Sequence, residues 1–197
     1  MLEHRKLSRY SRDGFCYFMN FMDNNIYIRQ ATHEDCDTIV DLGRKTFVET
    51  YAEVTYNGVL EAYIEKKFSP EIITAELNNP HAWFYIGFVD EVPVAFTKLR
   101  NDRKAKGLEQ NNVLEIERIY VLKEYQGVKV GKEMMDRCKA IATQEKYNII
   151  WLQVWQRNNK AIQFYQKAGF VIYETTTFSY SKDIKQEDFL MRYNLYY

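Results

Sequence analysis

The segment from Leu114 to Phe170 restricts the fold of this chain more than any other part of the sequence. It begins with an apolar strand pattern at 114–121, which leads into a glycine-containing turn and then into a helical pattern. A strand, a helix and a further strand follow, and Tyr165 lies in the middle of that helix. Alternating strand and helix patterns of this kind predict an α/β domain built around one sheet.

Composition agrees with a single domain. The chain has 197 residues, of which 46% are hydrophobic and 16% are aromatic, so it can bury a sizeable core. Its 27 basic and 27 acidic residues cancel, which leaves no overall charge to attract nucleic acid or an anionic membrane. We therefore expect neither of these partners.

The cysteines and the N-terminus indicate a cytoplasmic protein. The three cysteines are odd in number and far apart, which suits a reducing compartment. No apolar run approaches the ~20 residues that cross a bilayer, and the charged start lacks the apolar core of a signal peptide. Neither the cysteines nor the three histidines have metal-ligand spacing, so we expect no metal.

Regular patterns begin at residue 25. The preceding segment, 1–24, has a basic start and an aromatic cluster, and we interpret it as an N-terminal extension of uncertain role. Residues 25–197 show no repeat or linker and form one domain in this interpretation. They predict strands near 26–29, 83–89, 92–99, 113–121, 148–155, 170–180 and 188–196, and helices behind a capping box at Thr32 and Asp35, near 60–68, near 70–77, at 130–146 and at 159–168.

The strand at 114–121 changes the parity of its apolar positions. Leu114 and Ile116 are even-numbered, whereas Ile119 and Val121 are odd-numbered. Because strand side chains alternate between faces, one extra residue near 117–118 would bring all four onto one face, which is a β-bulge. Backbone groups that a bulge leaves unpaired can bind a ligand. A strand that is buried on both faces explains the same pattern equally well.

The turn at 126–131 can hold an anion. Its glycines permit a left-handed backbone, and the following helix directs free N–H groups and the positive end of its dipole at the turn. The motif is neither a dinucleotide fingerprint nor a P-loop. For the turn taken alone, a plain capped turn without any ligand is the better explanation.

Tyr165 and two carboxylates are the remaining candidates for chemistry. Tyr165 belongs to an apolar helical stripe with Asn158 at the N-cap position, and a tyrosine in such a stripe is usually a core residue. Glu115 and Glu117 share the strand before the turn, where paired carboxylates are more often surface charges than catalytic groups.

In order and spacing, these motifs resemble the GCN5-related N-acetyltransferase (GNAT) superfamily. The family turn Gln-x-x-Gly-x-Gly occurs at 126–131, with Lys129 in place of its first glycine. The family run Leu-x-Val-x-x-x-Asn-x-x-Ala-x-x-x-Tyr-x-Lys-x-Gly-Phe is complete from Leu152 to Phe170. The likeness extends from about Ile26 to the C-terminus. Within the superfamily, the chain most resembles bacterial spermidine/spermine N-acetyltransferases of the PaiA type.

The resemblance implies a GNAT fold. Such a fold has a twisted, mixed and mostly antiparallel sheet of about seven strands, with helices on both faces. The fourth and fifth strands would splay into a V, and acetyl-CoA would lie there as cosubstrate. Lys129 cannot adopt a positive φ cheaply, so we expect a slightly altered turn or a contact between its ammonium and a phosphate.

The resemblance also implies roles for individual residues. Tyr165 would protonate the departing thiolate, and Glu117, with Glu115 in reserve, would accept a proton from the amine. A backbone N–H at the bulge would stabilise the tetrahedral oxyanion. The implied CoA contacts come from Ile119, Tyr120, Val121, Gln126, Gly127, Val128, Lys129, Val130, Gly131, Lys132 and Asn158.

The implied reaction is acetyl transfer to a primary amine, such as a polyamine or another small cationic amine, by direct attack in a ternary complex. Two alternatives stay open: acetylation of protein N-termini or lysines, and a CoA-binding regulator without catalysis. A narrow acidic pocket would favour the small amine, and an open groove would favour a peptide. We expect acceptor recognition in 34–79 and 101–112. A homodimer is one option for the assembly.

Overall fold

A seven-stranded sheet organises the computed structural model, which describes residues 25–51, 59–109, 111–179 and 185–195. The extension at 1–24 lies outside the described residues. The strands are β1 Ile26–Gln30, β2 Ala82–Val89, β3 Val92–Arg100, β4 Val113–Val121, β5 Ile149–Trp155, β6 Val171–Ser179 and β7 Lys185–Asn194. Their order across the sheet is β1-β2-β3-β4-β5-β7-β6.

One parallel pair interrupts an otherwise antiparallel sheet. β4 and β5 run parallel and pair only where 113–115 lie beside 149–151. Every other neighbouring pair is antiparallel. From Ile116 onward β4 leaves β5, so the two strands form the V-shaped opening that the resemblance implied. The predicted mixed, mostly antiparallel sheet is confirmed.

The helices of the described chain are α1 Cys36–Tyr51, α2 Val59–Lys67, α3 Pro70–Leu77, α4 Val130–Gln144 and α5 Asn159–Lys167. A 3-10 turn at 33–35 precedes α1 and contains the predicted capping box of Thr32 and Asp35. Ser69 caps α3, which begins with a proline. None of the described helices is both long and apolar enough to cross a bilayer.

Alternation along β3 places the helices on opposite faces of the sheet. Phe96 contacts the ring of Phe68, which follows α2, at a centroid distance of 6.5 Å. The neighbouring Ala95 lies on the other face, where the space above Gly87 is bordered by Ala95 and by Val130 and Met134 of α4. Because adjacent strand residues point to opposite faces, α1–α3 cover one side of the sheet and α4 covers the other.

The β2–β3 hairpin closes without a glycine. Asp90 and Glu91 have φ values of 48° and 65°, so both adopt the left-handed conformation that a two-residue hairpin turn requires. The Oδ1 atom of Asp90 accepts a hydrogen bond from the backbone N–H of Asn25 at 3.0 Å. The predicted hairpin is confirmed, and an aspartate, which tolerates this conformation better than most residues, supplies its first position.

Candidate active site

The predicted β-bulge lies on β4 where the V begins to open. Lys98 of β3 pairs with Arg118, but the next residue, Leu99, pairs with Ile116, so Glu117 is the extra residue. Before the bulge, Leu114 and Ile116 pack with α4 residues, and after it the Val121 side chain again lies beside the start of α4. The change of parity therefore did signal a bulge.

A groove of about 550 Å³ lies between the separated strands, and we refer to it as the V groove. Its β4 side consists of residues from the bulge to Val121, and its β5 side continues into α5. The predicted site residues that line it are Glu117, Ile119, Tyr120, Val121, Gln126, Gly127, Lys129, Gly131, Lys132, Asn158 and Tyr165. The side chains of Val128 and Val130 pack against the core instead, so these two residues can offer a ligand only their backbone.

The turn before α4 presents unused backbone donors. The N–H groups of Gly127, Lys129, Val130 and Gly131 donate to no other described residue. Since α4 begins at Val130, the positive end of its dipole lies at the same place. Donors and dipole together fit a pyrophosphate group.

Lys129 adopts the conformation that we expected it to avoid. Its φ of 75° and ψ of −7° are left-handed, and Lys129 is the N-cap residue of α4. The backbone thus keeps the geometry that a glycine would adopt, at a cost of about 1 kcal/mol for an L side chain. The expected distortion of the turn is therefore not needed, because the start of α4 fixes the backbone.

The side chain of Gln126 connects the turn with β4 and with α5, which lie on opposite sides of the V groove. Its Nε2 donates to the carbonyl oxygen of Val121 at 3.0 Å, and its Oε1 accepts from the ammonium of Lys160 in α5. This arrangement explains why a glutamine begins the turn. Lysines 123, 129, 132 and 160 give this end of the V groove a basic border, which suits a phosphorylated ligand.

Tyr165 and Asn158 meet in the V groove because both belong to α5. Tyr165 is only 9% exposed and packs against the rings of Phe164 and Phe170, and burial raises the pKa of its hydroxyl. That hydroxyl has no hydrogen-bond partner among the described residues. Asn158 is the predicted N-cap, and its Oδ1 accepts from the backbone N–H of Ala161 at 3.1 Å. The helix cap does not use the side-chain amide nitrogen of Asn158, so this nitrogen can donate a hydrogen bond to a ligand.

A second, smaller cavity of about 160 Å³ adjoins the V groove on the α1–α3 side, and we refer to it as the aromatic cavity. Both cavities are lined by Tyr51, Glu117, Arg118, Tyr120 and Gln153. The rings in its wall are those of Phe47, Tyr51, Tyr63, Phe68, Tyr120 and Phe178. Its charged residues are Lys67, Arg103, Glu115, Glu117, Arg118 and Asp188.

Buried ion pairs hold Glu117 at the junction of the two cavities. Its Oε2 lies 2.7 Å from the Lys98 ammonium, which also contacts Glu76 of α3 at 2.8 Å. Arg118 binds the same Glu76 carboxylate through both terminal nitrogens, at 2.7 and 2.9 Å. Burial alone would raise the pKa of Glu117, but the charges of Arg118 and Lys98 outweigh it and hold this pKa below its ordinary value. Glu117 is therefore ionised at neutral pH.

Glu115 has a different electrostatic environment, although it lies only two residues away. Its side chain is 2% exposed, and Oε1 accepts from Arg103 at 3.0 Å. Its Oε2 is buried and has no hydrogen-bond partner in the described part of the chain. Burial raises the pKa of Glu115 to about 7, against the opposing charge of Arg103.

Several residues of the aromatic cavity were not predicted from the sequence. The prediction assigns acceptor recognition to 34–79 and 101–112, and residues of both segments line the aromatic cavity. The C-terminal hairpin adds Phe178, Gln186 and Asp188 to its wall. In sequence, 185–188 is a polar run that resembles a solvated surface. Only the pairing of β7 with β5, which sets Asp188 opposite Trp155, brings this run to the cavity.

Comparison with known proteins decides the family. The sequence profile of the Acetyltransferase (GNAT) family matches residues 45–170, a range that includes the turn, the bulge and Tyr165. The chain belongs to the GNAT family. It is therefore an N-acetyltransferase by family, and the fold that the resemblance implied is confirmed.

Individual relatives agree with this assignment. An uncharacterised N-acetyltransferase of Lactobacillus delbrueckii subsp. lactis is 27% identical over 167 residues, which cover 85% of this chain and 96% of the relative. Spermidine N(1)-acetyltransferase of Thermoplasma acidophilum is 26% identical over 83% of this chain and 99% of its own length. The crystal structure of PaiA N-acetyltransferase from T. acidophilum in complex with coenzyme A superimposes with a TM-score of 0.72 and 25% identity, covering 87% of this chain and 99% of that chain. The predicted similarity to PaiA-type enzymes is thus confirmed.

Proposed function

We propose that this GNAT protein transfers the acetyl group of acetyl-CoA to a primary amine of a small cationic molecule, with polyamines as the first candidates. The observation that carries the proposal is the junction of the two cavities at Glu117. The aromatic cavity combines six rings with the carboxylates of Glu115, Glu117 and Asp188, and both kinds of group attract an alkylammonium ion. The relative from T. acidophilum that is named spermidine N(1)-acetyltransferase supports the same acceptor class.

The V groove would bind the donor. Backbone groups of Ile119, Tyr120 and Val121, which β5 does not pair, would bond the pantetheine arm. The amides and side chains of the turn from Gln126 to Lys132 would hold the pyrophosphate, and Asn158 would contact the CoA chain. The T. acidophilum PaiA structure, which contains coenzyme A, supports this assignment of the donor.

The amine must lose a proton before it can attack. An alkylammonium with a pKa of ~10.4 is neutral in only about one molecule in a few thousand at pH 7. Glu117 is our proposed proton acceptor because it lines both cavities and is held ionised beside the bulge. Glu115 has a pKa of about 7, which suits a general base, but it lines only the aromatic cavity.

The transfer then follows from the geometry at the bulge. The amine nitrogen forms a bond to the thioester carbon, and a backbone N–H at the bulge stabilises the oxyanion. As the carbon–sulfur bond breaks, the Tyr165 hydroxyl gives its proton to the departing thiolate. The ammonium gives its first proton to the Glu117 carboxylate before the attack and its second proton to solvent as the tetrahedral intermediate collapses. Solvent then restores the proton on Tyr165 and removes the one held by Glu117. Free CoA and the acetylated amine are the products.

The size of the aromatic cavity favours a small amine over a protein substrate. Its volume is about 160 Å³, and rings from α1, α2 and β6 line it. The experiment that tests the proposal is thiol release from acetyl-CoA with spermidine, spermine, diamines, free amino acids and peptides. We expect turnover with the polyamines and diamines. Turnover with peptides alone would contradict the acceptor class and favour the protein acetyltransferase alternative, and tight acetyl-CoA binding without any transfer would favour the regulator.

A further inference from the structure

We infer that the acceptor carries a second cationic nitrogen, and that Asp188 and Glu115 bind it in the part of the aromatic cavity away from the V groove. The inference rests on the proposed function, because it concerns the same cavity. Acetylation of an amine does not by itself require a second cation in the acceptor. Here a monoamine would leave the part of the cavity lined by Asp188 and Glu115 without a ligand.

Asp188 is a buried carboxylate that forms no ion pair with the described residues. It is 3% exposed, and its two oxygens accept hydrogen bonds of 2.7 Å from the side-chain amides of Gln153 and Gln186. No lysine, arginine or histidine of the described chain lies within 4.0 Å of it. Neutral amides orient the carboxylate but do not compensate its charge, so the site is suited to a cationic ligand.

Glu115 adds an unused acceptor atom to the same cavity. Arg103 bonds Oε1, whereas the buried Oε2 has no hydrogen-bond partner among the described residues. The Nε atom of Arg100 lies 4.0 Å from Oε2, beyond hydrogen-bond distance, and Arg100 bonds Asp102 instead. Buried carboxylate oxygens almost always have a partner, so an orphaned one that lines a cavity indicates a missing donor. An ammonium group of the acceptor can supply that donor.

Gln153 joins the two carboxylates into one site. Its Nε2 donates to Asp188, and its Oε1 accepts from Arg103 at 3.4 Å, while Arg103 also bonds Glu115. The network therefore runs from β4 through β5 to β7. Since Glu117 lines both cavities but Glu115 and Asp188 line only the aromatic cavity, the reacting and non-reacting nitrogens have separate carboxylates.

The cations that face the cavity leave room for this ligand. Arg118 is committed to Glu76, and Arg103 is half exposed and bound to Glu115. Lys67 lies over the Tyr63 ring, 6.0 Å from its centroid, on the α2 side of the cavity. Burial and the charge of Arg118 lower the pKa of Lys67, which weakens its competition with an ammonium ligand.

The experiment compares 1,4-diaminobutane with butylamine and 4-amino-1-butanol, which share its chain but lack the second cation. We expect kcat/KM of the native enzyme to be at least about tenfold higher for the diamine, as a buried charge pair would give. In Asp188→Asn the ratio between diamine and monoamine should fall close to one. Because the ratio is taken within one variant, a loss of folded protein does not affect it.

Glu187→Gln is the matched control, because Glu187 is exposed and adjacent to Asp188 on β7. It should retain the native ratio. Equal kcat/KM for diamine and monoamine in the native enzyme, or an unchanged ratio in Asp188→Asn, would overturn this inference and leave the proposed function intact. Failure to acetylate any of the amines would instead overturn the proposed function.

Discussion

The ammonium of Lys98 lies 2.7 Å from the carboxylate of Glu117, although the Lys98 side chain is only 4% exposed. Lys98 lies on β3 beside the bulge, and among the described residues it is the cation closest to the proposed proton acceptor. Removing one partner of such a buried pair leaves an uncompensated charge and typically costs about 3–5 kcal/mol. The pair therefore connects the stability of the bulge with the ionisation of Glu117.

Lys98→Met should raise the pKa of Glu117, because the variant removes a nearby positive charge. The acidic limb of the kcat/KM profile should shift to higher pH, so that activity falls more at pH 6 than at pH 8. The pH dependence of kcat/KM measures the shift. Lys45→Met, which breaks the exposed Lys45–Glu124 pair, should leave the profile in place. An identical profile in Lys98→Met would remove Glu117 from the proton transfer.

Tyr165→Phe should reduce kcat by about a hundredfold or more, since it removes a proposed general acid. CoA affinity should change little, because the ring and its contacts with Phe164 and Phe170 are kept. Steady-state kinetics and calorimetric titration with CoA separate the two effects. Tyr85→Phe is the matched control, since Tyr85 is also buried but lines neither cavity. Native turnover in Tyr165→Phe would exclude the proposed role.

Lys129→Gly should increase the free energy of unfolding by about 0.5–1 kcal/mol, because glycine removes the strain of a left-handed side chain. Gly127→Ala should have the opposite effect. Its φ is 102° and no atom lies within 4 Å of the added methyl group, so backbone strain alone would destabilise the variant. Urea unfolding measures both changes. Destabilisation by Lys129→Gly would show that the lysine side chain stabilises the turn in a way that the backbone does not reveal.

Glu115→Gln should stabilise the protein above pH 7. The pKa of Glu115 is raised from 4.5 to about 7 in the folded state, so the folded chain binds more protons than the unfolded chain between these values. The contribution of Glu115 to stability is thus greatest below pH 4.5 and is lost as the pH rises through about 7. The variant should gain on the order of 1–3 kcal/mol relative to native at pH 8, and this gain should disappear near pH 4. Urea unfolding at both pH values measures the difference in free energy of unfolding between the variant and the native protein. A difference that does not change with pH would contradict this prediction.

The parts of the site that could be predicted from sequence are those that local pattern determines. The bulge follows from the parity of four apolar residues in one strand, and the N-cap at Asn158 follows from the helix that it begins. The left-handed turn was located correctly, but its geometry at Lys129 was not. A general preference of L residues was overridden there by the start of α4.

The remaining features depend on contacts between distant segments. Glu76 and Arg118 are 42 positions apart, and Asp188 reaches the cavity only through the register between β5 and β7. The local sequence pattern around Glu76, Arg118 and Asp188 does not distinguish any of them from a surface charge. The different electrostatic environments of Glu115 and Glu117 also depend on distant segments, because Arg103 binds Glu115 while Lys98 binds Glu117.

The most direct test of the central claim is a competition for one acetyl donor. Spermidine and a lysine-containing peptide at equal concentration would be incubated with the enzyme and isotopically labelled acetyl-CoA, and the products would be separated by mass spectrometry. The account predicts that the label appears in acetylated spermidine, and that Tyr165→Phe slows its appearance. Label found mainly in the peptide, or acetyl-CoA that stays intact in the presence of both amines, would contradict it.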